Sequence, residues 1–472
     1  MAIASRAANA KAAKRIPLII PVESQVRELD AKLLLACVAV RRNFPVVIGR
    51  LKAIDAHITS FQRGIYLAKS ISPRFIPGFK TLHELGHMIT GWDEEALVHL
   101  PPEVYFKKSI SPEISRYVSH LFAWGKENAE LWSNAPYRFD VPVHVTGNPR
   151  GDLLRPEMRP FFEAEVEEFR RVYGDYFLIN TNFSVVNSNR SLFLPEKANG
   201  AARTLSPVAA GMTRELAERL ECHKLDIFQR FQQMIPELAR TFPCINIVIR
   251  PHPSENPQIY HRIAADFERV HVVIKGNVIP WLLAAKATIH NGCTTAIEAS
   301  LLGSNLISFG PTEGEGRDFG RAWRSPDILS HTCDDFTSLH EILERLITEE
   351  PCRCNGMEDK KVINEFLASQ QGPLACEKIV DVLEKCLYRQ NEIQPVKHLT
   401  AIFRDNTTRL GSKTAKVFVR KPRKAHESRR AAHHDLSPEQ VSEKLNRFQA
   451  ILGNPVKLSV EKLFKHVYRI HL

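Results

Sequence analysis

Apolar residues along the chain fall into short runs separated by stretches with helical spacing. Leu18–Val22 is a continuous apolar run of strand character. Glu28–Val40 follows, with Leu29, Leu33, Leu34, Cys37 and Val40 at helical intervals. Pro45–Gly49 is a buried-strand pattern closed by a breaker, and Gly64–Ala68, His87–Thr90, His120–Trp124 and Val143–Thr146 repeat the theme. After a charged helix at Phe161–Tyr173 the alternation restarts. Tyr176–Asn180, Asn246–Arg250, Val270–Ile274, Ala287–His290 and Asn305–Phe309 read as strands, with a long helical stretch in Val208–Thr241 and a helix at Thr295–Leu302. Strands alternating with helices predict parallel sheets covered on both faces. The pattern therefore predicts an α/β chain of two Rossmann-like units, residues 16–152 and 153–395, divided near Asp152–Arg155.

The ends differ from this body. Residues 1–15 form an Ala-rich basic leader, expected to be disordered. Cys376–Tyr388 reads as a helix packing back on a domain. Residues 396–472 read as a basic extension with helices at Ser437–Leu452 and Ser459–Tyr468, the first with Ser437 as N-cap and Pro438 at the first helical position.

Composition adds little except at this extension. The 472 residues are 44% hydrophobic and 25% charged, which is ordinary globular usage. The formal charge of +11 is concentrated: Arg404–His434 holds ten Lys/Arg against two Asp/Glu. Such a segment attracts an anionic membrane surface or an acidic glycan, or serves as a solvated linker. No aromatic platform interleaves its charges, so nucleic acid is not expected. The nine cysteines show no metal-site spacing, and the tight pair Cys352 and Cys354 has no matching second pair. They read as reduced thiols. No apolar run is long enough to span a bilayer, and Pro17 and Pro21 interrupt the run Ile16–Val22, so it is no secretory core. A cytoplasmic protein, peripheral on the inner membrane through its basic tail, is the expectation.

Two segments carry the candidate chemistry. In Ile247–Glu255 an apolar strand ends in Pro251-His252-Pro253, and the prolines restrict the backbone on both sides of the histidine. His252 then sits at the carboxyl end of a strand, where open α/β sheets bind ligands. It can donate to a phosphate, with Arg250 as a second anion partner and Ser254 and Glu255 alongside. In His290–Ala299 a strand gives way to Asn291-Gly292, and Thr294 and Thr295 then open a helix whose free N–H groups suit a phosphate. Glu298 in its first turn either caps the helix or holds a ribose hydroxyl. Asn180 and Asn182 end another strand, and Asn148 and Arg150 precede the domain crossing; both pairs face the expected cleft or cap tight turns.

These two segments resemble the donor domain of GT-B glycosyltransferases, in particular the His-Pro motif and helix-opening hydroxyl pair of transferases that use cytidine nucleotide donors. Bacterial sialyltransferases, Kdo transferases and polyol-phosphate polymerases share that arrangement. Pro21-Val22-Glu23, Arg27-Glu28-Leu29-Asp30-Ala31-Lys32, Trp92-Asp93-Glu94-Glu95, Trp124-Gly125 and Thr146-Gly147-Asn148-Pro149-Arg150-Gly151-Asp152 resemble the surface carbohydrate biosynthesis protein family. The likeness spans about residues 16–330, and residues 395–472 fall outside it. It implies a GT-B enzyme with the acceptor on the first domain and a nucleotide sugar on the second. The donor would be CMP-linked and Kdo-like. The acceptor would be a surface polysaccharide or lipid-linked glycan of capsule or lipopolysaccharide type.

Such a reaction needs an acidic group from the first domain. Glu23, Asp93, Glu94 and Glu95 are the candidates, Glu94 or Glu95 preferred, with Arg27, Asp30, Asn148 and Arg150 on the acceptor side. No metal or other cofactor is required, since His252, Arg250 and the helix dipole can stabilise the leaving phosphate. A nucleotide-sugar epimerase of the same fold and a non-catalytic glycan- or lipid-binding subunit are the alternatives. His83-Glu84-Leu85-Gly86-His87 also satisfies the zinc-protease signature. Pro77-Gly78 before it and Gly86 within it weaken the helix that signature needs.

Overall fold

The computed structural model describes residues 16–188, 191–194, 203–311, 321–348, 357–390 and 435–472. The leader 1–15, the pair Cys352 and Cys354, and the basic stretch Arg404–His434 lie outside the described residues.

The first sheet contains β1 (Leu18–Val22), β2 (Val46–Arg50), β3 (Ile65–Ala68), β4 (Met88–Gly91), β5 (Val118–Ala123) and β6 (Val143–Val145). These run parallel in the order β2-β1-β3-β4-β5-β6. The second sheet contains β7 (Tyr176–Asn180), β8 (Asn246–Arg250), β9 (Val270–Val272), β10 (Ala287–His290), β11 (Leu306–Phe309) and β12 (His331–Cys333). It is also parallel, in the order β12-β11-β10-β7-β8-β9. Every residue of β7 is buried, as expected of a central strand covered on both faces.

Five helices matter below: α1 (Gln25–Arg41), α2 (Arg214–Thr241), α3 (Thr294–Leu302), α4 (Ala375–Gln390) and α5 (Pro438–Leu452). Helix α4 leaves the second domain and packs on α1 of the first. Asp152 receives it: its carboxylate accepts from the amides of Ala375 at 2.7 Å and Cys376 at 2.9 Å, the anchored start of a helix held by a negative charge. Gly147 fits beneath the same crossing. It has φ +81°, and a Cβ there would lie 2.7 Å from the Ala368 carbonyl oxygen, so only glycine is accommodated. Two Rossmann-like domains with a terminal helix returning to the first make the GT-B architecture.

The chain's end departs from the sequence expectation. Ser459–Tyr468 is not a helix. Ser459–Phe464 (β13) and Val467–His471 (β14) form an antiparallel hairpin, and β14 pairs antiparallel with β2. The period is two: Tyr468 and Ile470 join the core beside α1, while Val467 joins the core on the opposite face. The edge of β2 offered unpaired backbone groups, and the hairpin satisfies them.

Residues 435–472 are therefore part of the first domain, which corrects the separate extension 396–472, and α4 likewise moves the end of the donor unit short of 395. Ser437 does cap α5, in a full capping box with Gln440. The Phe448 ring stacks on Phe161 with centroids 4.0 Å apart. Arg447 pairs with Glu165 at 2.8 Å. Sandwiched between sheet, α4 and α5, helix α1 is buried on nearly every side, which explains its continuous Leu33-Leu34-Leu35-Ala36-Cys37 core.

Candidate active site

The strand ends of the first domain carry alternating charges. Glu28 accepts from the amides of Glu23 and Ser24, each at 3.0 Å, and so caps α1. Lys32, one turn on, donates to Glu28 at 2.7 Å and to the Pro21 carbonyl at 2.8 Å, and lies 3.3 Å from Glu94. The Lys32 and Glu94 side chains are only 2% and 4% exposed. Burial alone would raise the Glu28 pKa, but Lys32 and Lys69 outweigh it and hold the carboxyl at about 2. Glu94 continues the chain of charges to Arg150, 3.8 Å away, and Arg150 pairs with Glu298 of α3 across the cleft.

The other first-domain candidates have distinct settings. Glu95 is held by Arg27 at 3.1 Å, and that ion pair keeps its pKa low. Asp93 turns into the domain instead, accepting from the Tyr105 hydroxyl at 2.9 Å and the Glu95 amide at 3.1 Å; burial raises its pKa. Glu23 pairs through Oε2 with Lys69, and its side chain is about half exposed. Asp30 is taken up by Lys444 of α5 and Asn277 of the second domain, each at 2.9 Å. Asn148 caps the turn that presents Arg150, accepting from its amide at 2.9 Å.

In the second domain the loops after β7, β8 and β10 are laced together. The buried Glu255 carboxylate accepts from Thr181 Oγ1 at 2.9 Å, the Phe183 amide at 3.0 Å, the His252 amide at 3.2 Å and the Tyr260 hydroxyl at 2.6 Å. Asn291 Oδ1 accepts from the Asn182 amide at 2.8 Å. These bonds hold His252 and the start of α3 on one rim, either side of β7. The Ser254 amide donates to His252 Nδ1 at 3.2 Å, which leaves the imidazole proton on Nε2. The N-cap of α3 is Cys293, with no side-chain cap, and Thr294 and Thr295 follow as the first helical residues. Gly292 has φ +75°, and nothing lies within 4 Å where a side chain would project. Two buried amide donors at strand ends, Asn148 Nδ2 and Asn180 Nδ2, have no protein partner among the described residues.

Two residues differ in role from the sequence expectation. The Arg250 guanidinium donates to the carbonyls of Lys275 at 2.8 Å and Gly276 at 3.0 Å, over the Trp281 ring, so it secures a loop. Glu298 lies past the first turn of α3 and answers Arg150 rather than capping its own helix. Sequence reasoning gave Glu28 and Lys32 no role beyond their place in a motif and passed over Lys69, Thr181 and Lys224; the available signal was a lysine set inside an apolar helical face at Lys32 and Lys224. His83 lies near the end of the helix Ile76–Glu84, while His87 lies beyond Gly86 and accepts from the Gly64 amide at 3.2 Å. The two histidines thus share no helical face, and no group of three metal-ligating side chains occurs among the described residues. No helix among them is long and apolar enough to cross a membrane.

No family model matches the chain, and no curated protein does. Solved structures with a similar course include UDP-GlcNAc 2-epimerase from Methanocaldococcus jannaschii in complex with UDP-GlcNAc and UDP, at 12% identity and TM-score 0.46, covering 78% of this chain and all of that one. The Neisseria meningitidis UDP-GlcNAc 2-epimerase bound to UDP-GlcNAc is similar at 13% identity and TM-score 0.47, covering 80% of this chain and 100% of the other. A variant of the wall teichoic acid polymerase TagF matches at 10% identity and TM-score 0.49, covering 80% and 90%. Likeness at this level says nothing about the reaction.

Proposed function

We propose that this chain is a glycosyltransferase that moves a sugar from a nucleotide donor on the second domain to an acceptor held by the first. One observation carries the reading: Glu255 and Asn291 lock the loops after β7, β8 and β10 into one rim, so that His252 and the start of α3 stand together opposite the first domain's charges. A donor phosphate fits the α3 N-terminus, where backbone N–H groups and the positive dipole end favour an anion. His252 Nε2–H and the Thr294 and Thr295 hydroxyls complete its shell and stabilise the leaving phosphate. The orphaned amides of Asn148 and Asn180 are further donors for ligand hydroxyls.

The general base is Glu23 in this reading. Glu94 is enclosed by Lys32 and Arg150, Asp93 faces the interior, and both Glu95 oxygens engage Arg27. Glu23 keeps Oε1 for an acceptor hydroxyl while Lys69 holds Oε2. The resemblance described above favours a CMP-linked acidic sugar and a surface glycan or lipid-linked acceptor. Thermal-shift titration with CMP, CDP, UDP and GDP tests the donor. Stabilisation by a cytidine nucleotide is expected; stabilisation by UDP alone replaces the donor and revives the epimerase, and no response to any nucleotide removes the transferase.

A further inference from the structure

Helix α2 buries a face built from Ala217, Leu220, Ile227, Phe228 and Phe231, and Lys224 stands in the middle of it. Lysine is almost never fully buried unless paired. Lys224 is 4% exposed, and its ammonium donates to the Asn291 carbonyl at 3.1 Å. An ammonium has three donors, so this bond leaves two. Among the described residues no carboxylate lies within ion-pair distance of it; Asp327 acts on it only from further off, and burial lowers its pKa. Its Nζ sits 5.1 Å from the centre of the Trp323 ring.

The ammonium lines a small pocket, about 30 Å³, with Asn291, Gly292, Ser308, Gly310 and Trp323. This pocket opens beside the Asn291-Gly292 turn, immediately before the helix start assigned above to the donor phosphate. Its acidic wall is engaged, since Asp327 accepts from Ser308 Oγ at 2.6 Å.

We propose that Lys224 binds an oxyanion of the donor additional to the phosphate at α3: the second phosphate of a nucleoside diphosphate, or the carboxylate of an acidic sugar on a nucleoside monophosphate. The inference rests on the placement of the nucleotide on the second domain. A buried cation with no carboxylate at ion-pair distance is costly, and an anion entering the pocket supplies a close partner. Asn291 couples the two positions, because its carbonyl takes Lys224 while its side chain fixes the β7 loop.

The test uses the full chain and its Lys224→Met and Lys224→Arg variants, with calorimetric titration of CMP, CDP, a CMP-linked 2-keto-3-deoxy acid sugar and inorganic pyrophosphate. The Met variant is expected to fold and to gain thermal stability without ligand. If the second phosphate is the anion, CDP affinity falls at least about tenfold in Lys224→Met, the loss expected when a charge-assisted hydrogen bond disappears, while CMP affinity holds. If the carboxylate is the anion, the loss appears with the CMP-linked sugar and not with CDP. Lys224→Arg recovers part of either loss, and serves as the probe if the Met variant does not fold, since added pyrophosphate should then stabilise both it and the wild type. Unchanged affinity of the variants for every probe, with nucleotide still bound, overturns the Lys224 assignment and leaves the donor site standing. Absence of binding by the wild type to every probe overturns both.

Discussion

Glu298 on α3 of the second domain holds Arg150 of the first, and Glu94 backs Arg150 from behind. Both members of the interdomain pair are nearly buried, at 8% exposure each. Removing Arg150 strands Glu298, and removing Glu298 leaves Arg150 only its looser contact with Glu94. Glu298→Ala should cost up to about 3 kcal/mol, the scale for depriving a buried charge of its main partner. The double variant Arg150→Met, Glu298→Met should recover most of that loss. Denaturant unfolding of the three proteins checks this. A double variant as unstable as the single one would mean that the pair is not energetically closed across the cleft.

Phe448 is fully buried against Phe161, far along the chain from the sheet it helps to cover. Phe448→Ala should destabilise the protein by about 3–5 kcal/mol, the cost of deleting a large core ring. A chain ending at residue 434 should be recovered only as aggregate, because the edge of β2 and one side of α1 lose their cover. Soluble, cooperatively unfolding truncated protein would contradict the assignment of 435–472 to the first domain.

His290 is fully buried, and desolvation lowers its pKa to about 4, while the unfolded chain titrates near 6.5. It accepts from the Gly292 amide and bonds Ser330 at 2.8 Å, so the folded state holds it neutral. The unfolded state binds the extra proton below pH 6.5, so this group's contribution is intact above that pH and is lost as pH falls toward 4. The loss amounts to roughly 3 kcal/mol. Unfolding free energies for wild type and His290→Asn across this range should converge at low pH. Parallel curves would rule out a neutral buried imidazole.

Among the first-domain acids, Glu23→Gln should lower turnover by about 100-fold or more, the contribution typical of a positioned general base. Nucleotide affinity should stay unchanged, because Glu23 lies on the other domain. Asp93→Asn should act on stability through its bond to Tyr105 and only weakly on turnover. Transfer assays and nucleotide titrations on both variants separate the roles, and full activity in Glu23→Gln would exclude it as the base.

The sequence by itself determined the two α/β units and the positions of nearly all their strands, because buried parallel strands are near-continuous apolar runs that need no partner to be recognised. It also located the Pro251-His252-Pro253 turn and the Thr294-Thr295 helix start, since proline and helix-opening hydroxyls act locally. Tertiary structure decided what those residues do. Glu94, Glu255, Glu298 and Arg250 read alike as candidate site charges, yet three are tied into ion-pair or hydrogen-bond networks and one secures a loop. Their partners lie far away in sequence, as with Arg150 and Glu298. The hairpin at Ser459–His471 was invisible for the same reason: the outer strand mixes three polar with three apolar positions and carries no strong period, and only the open edge of β2 selects strand over helix. Local signals set the elements; long-range pairing of charges and backbone set the site.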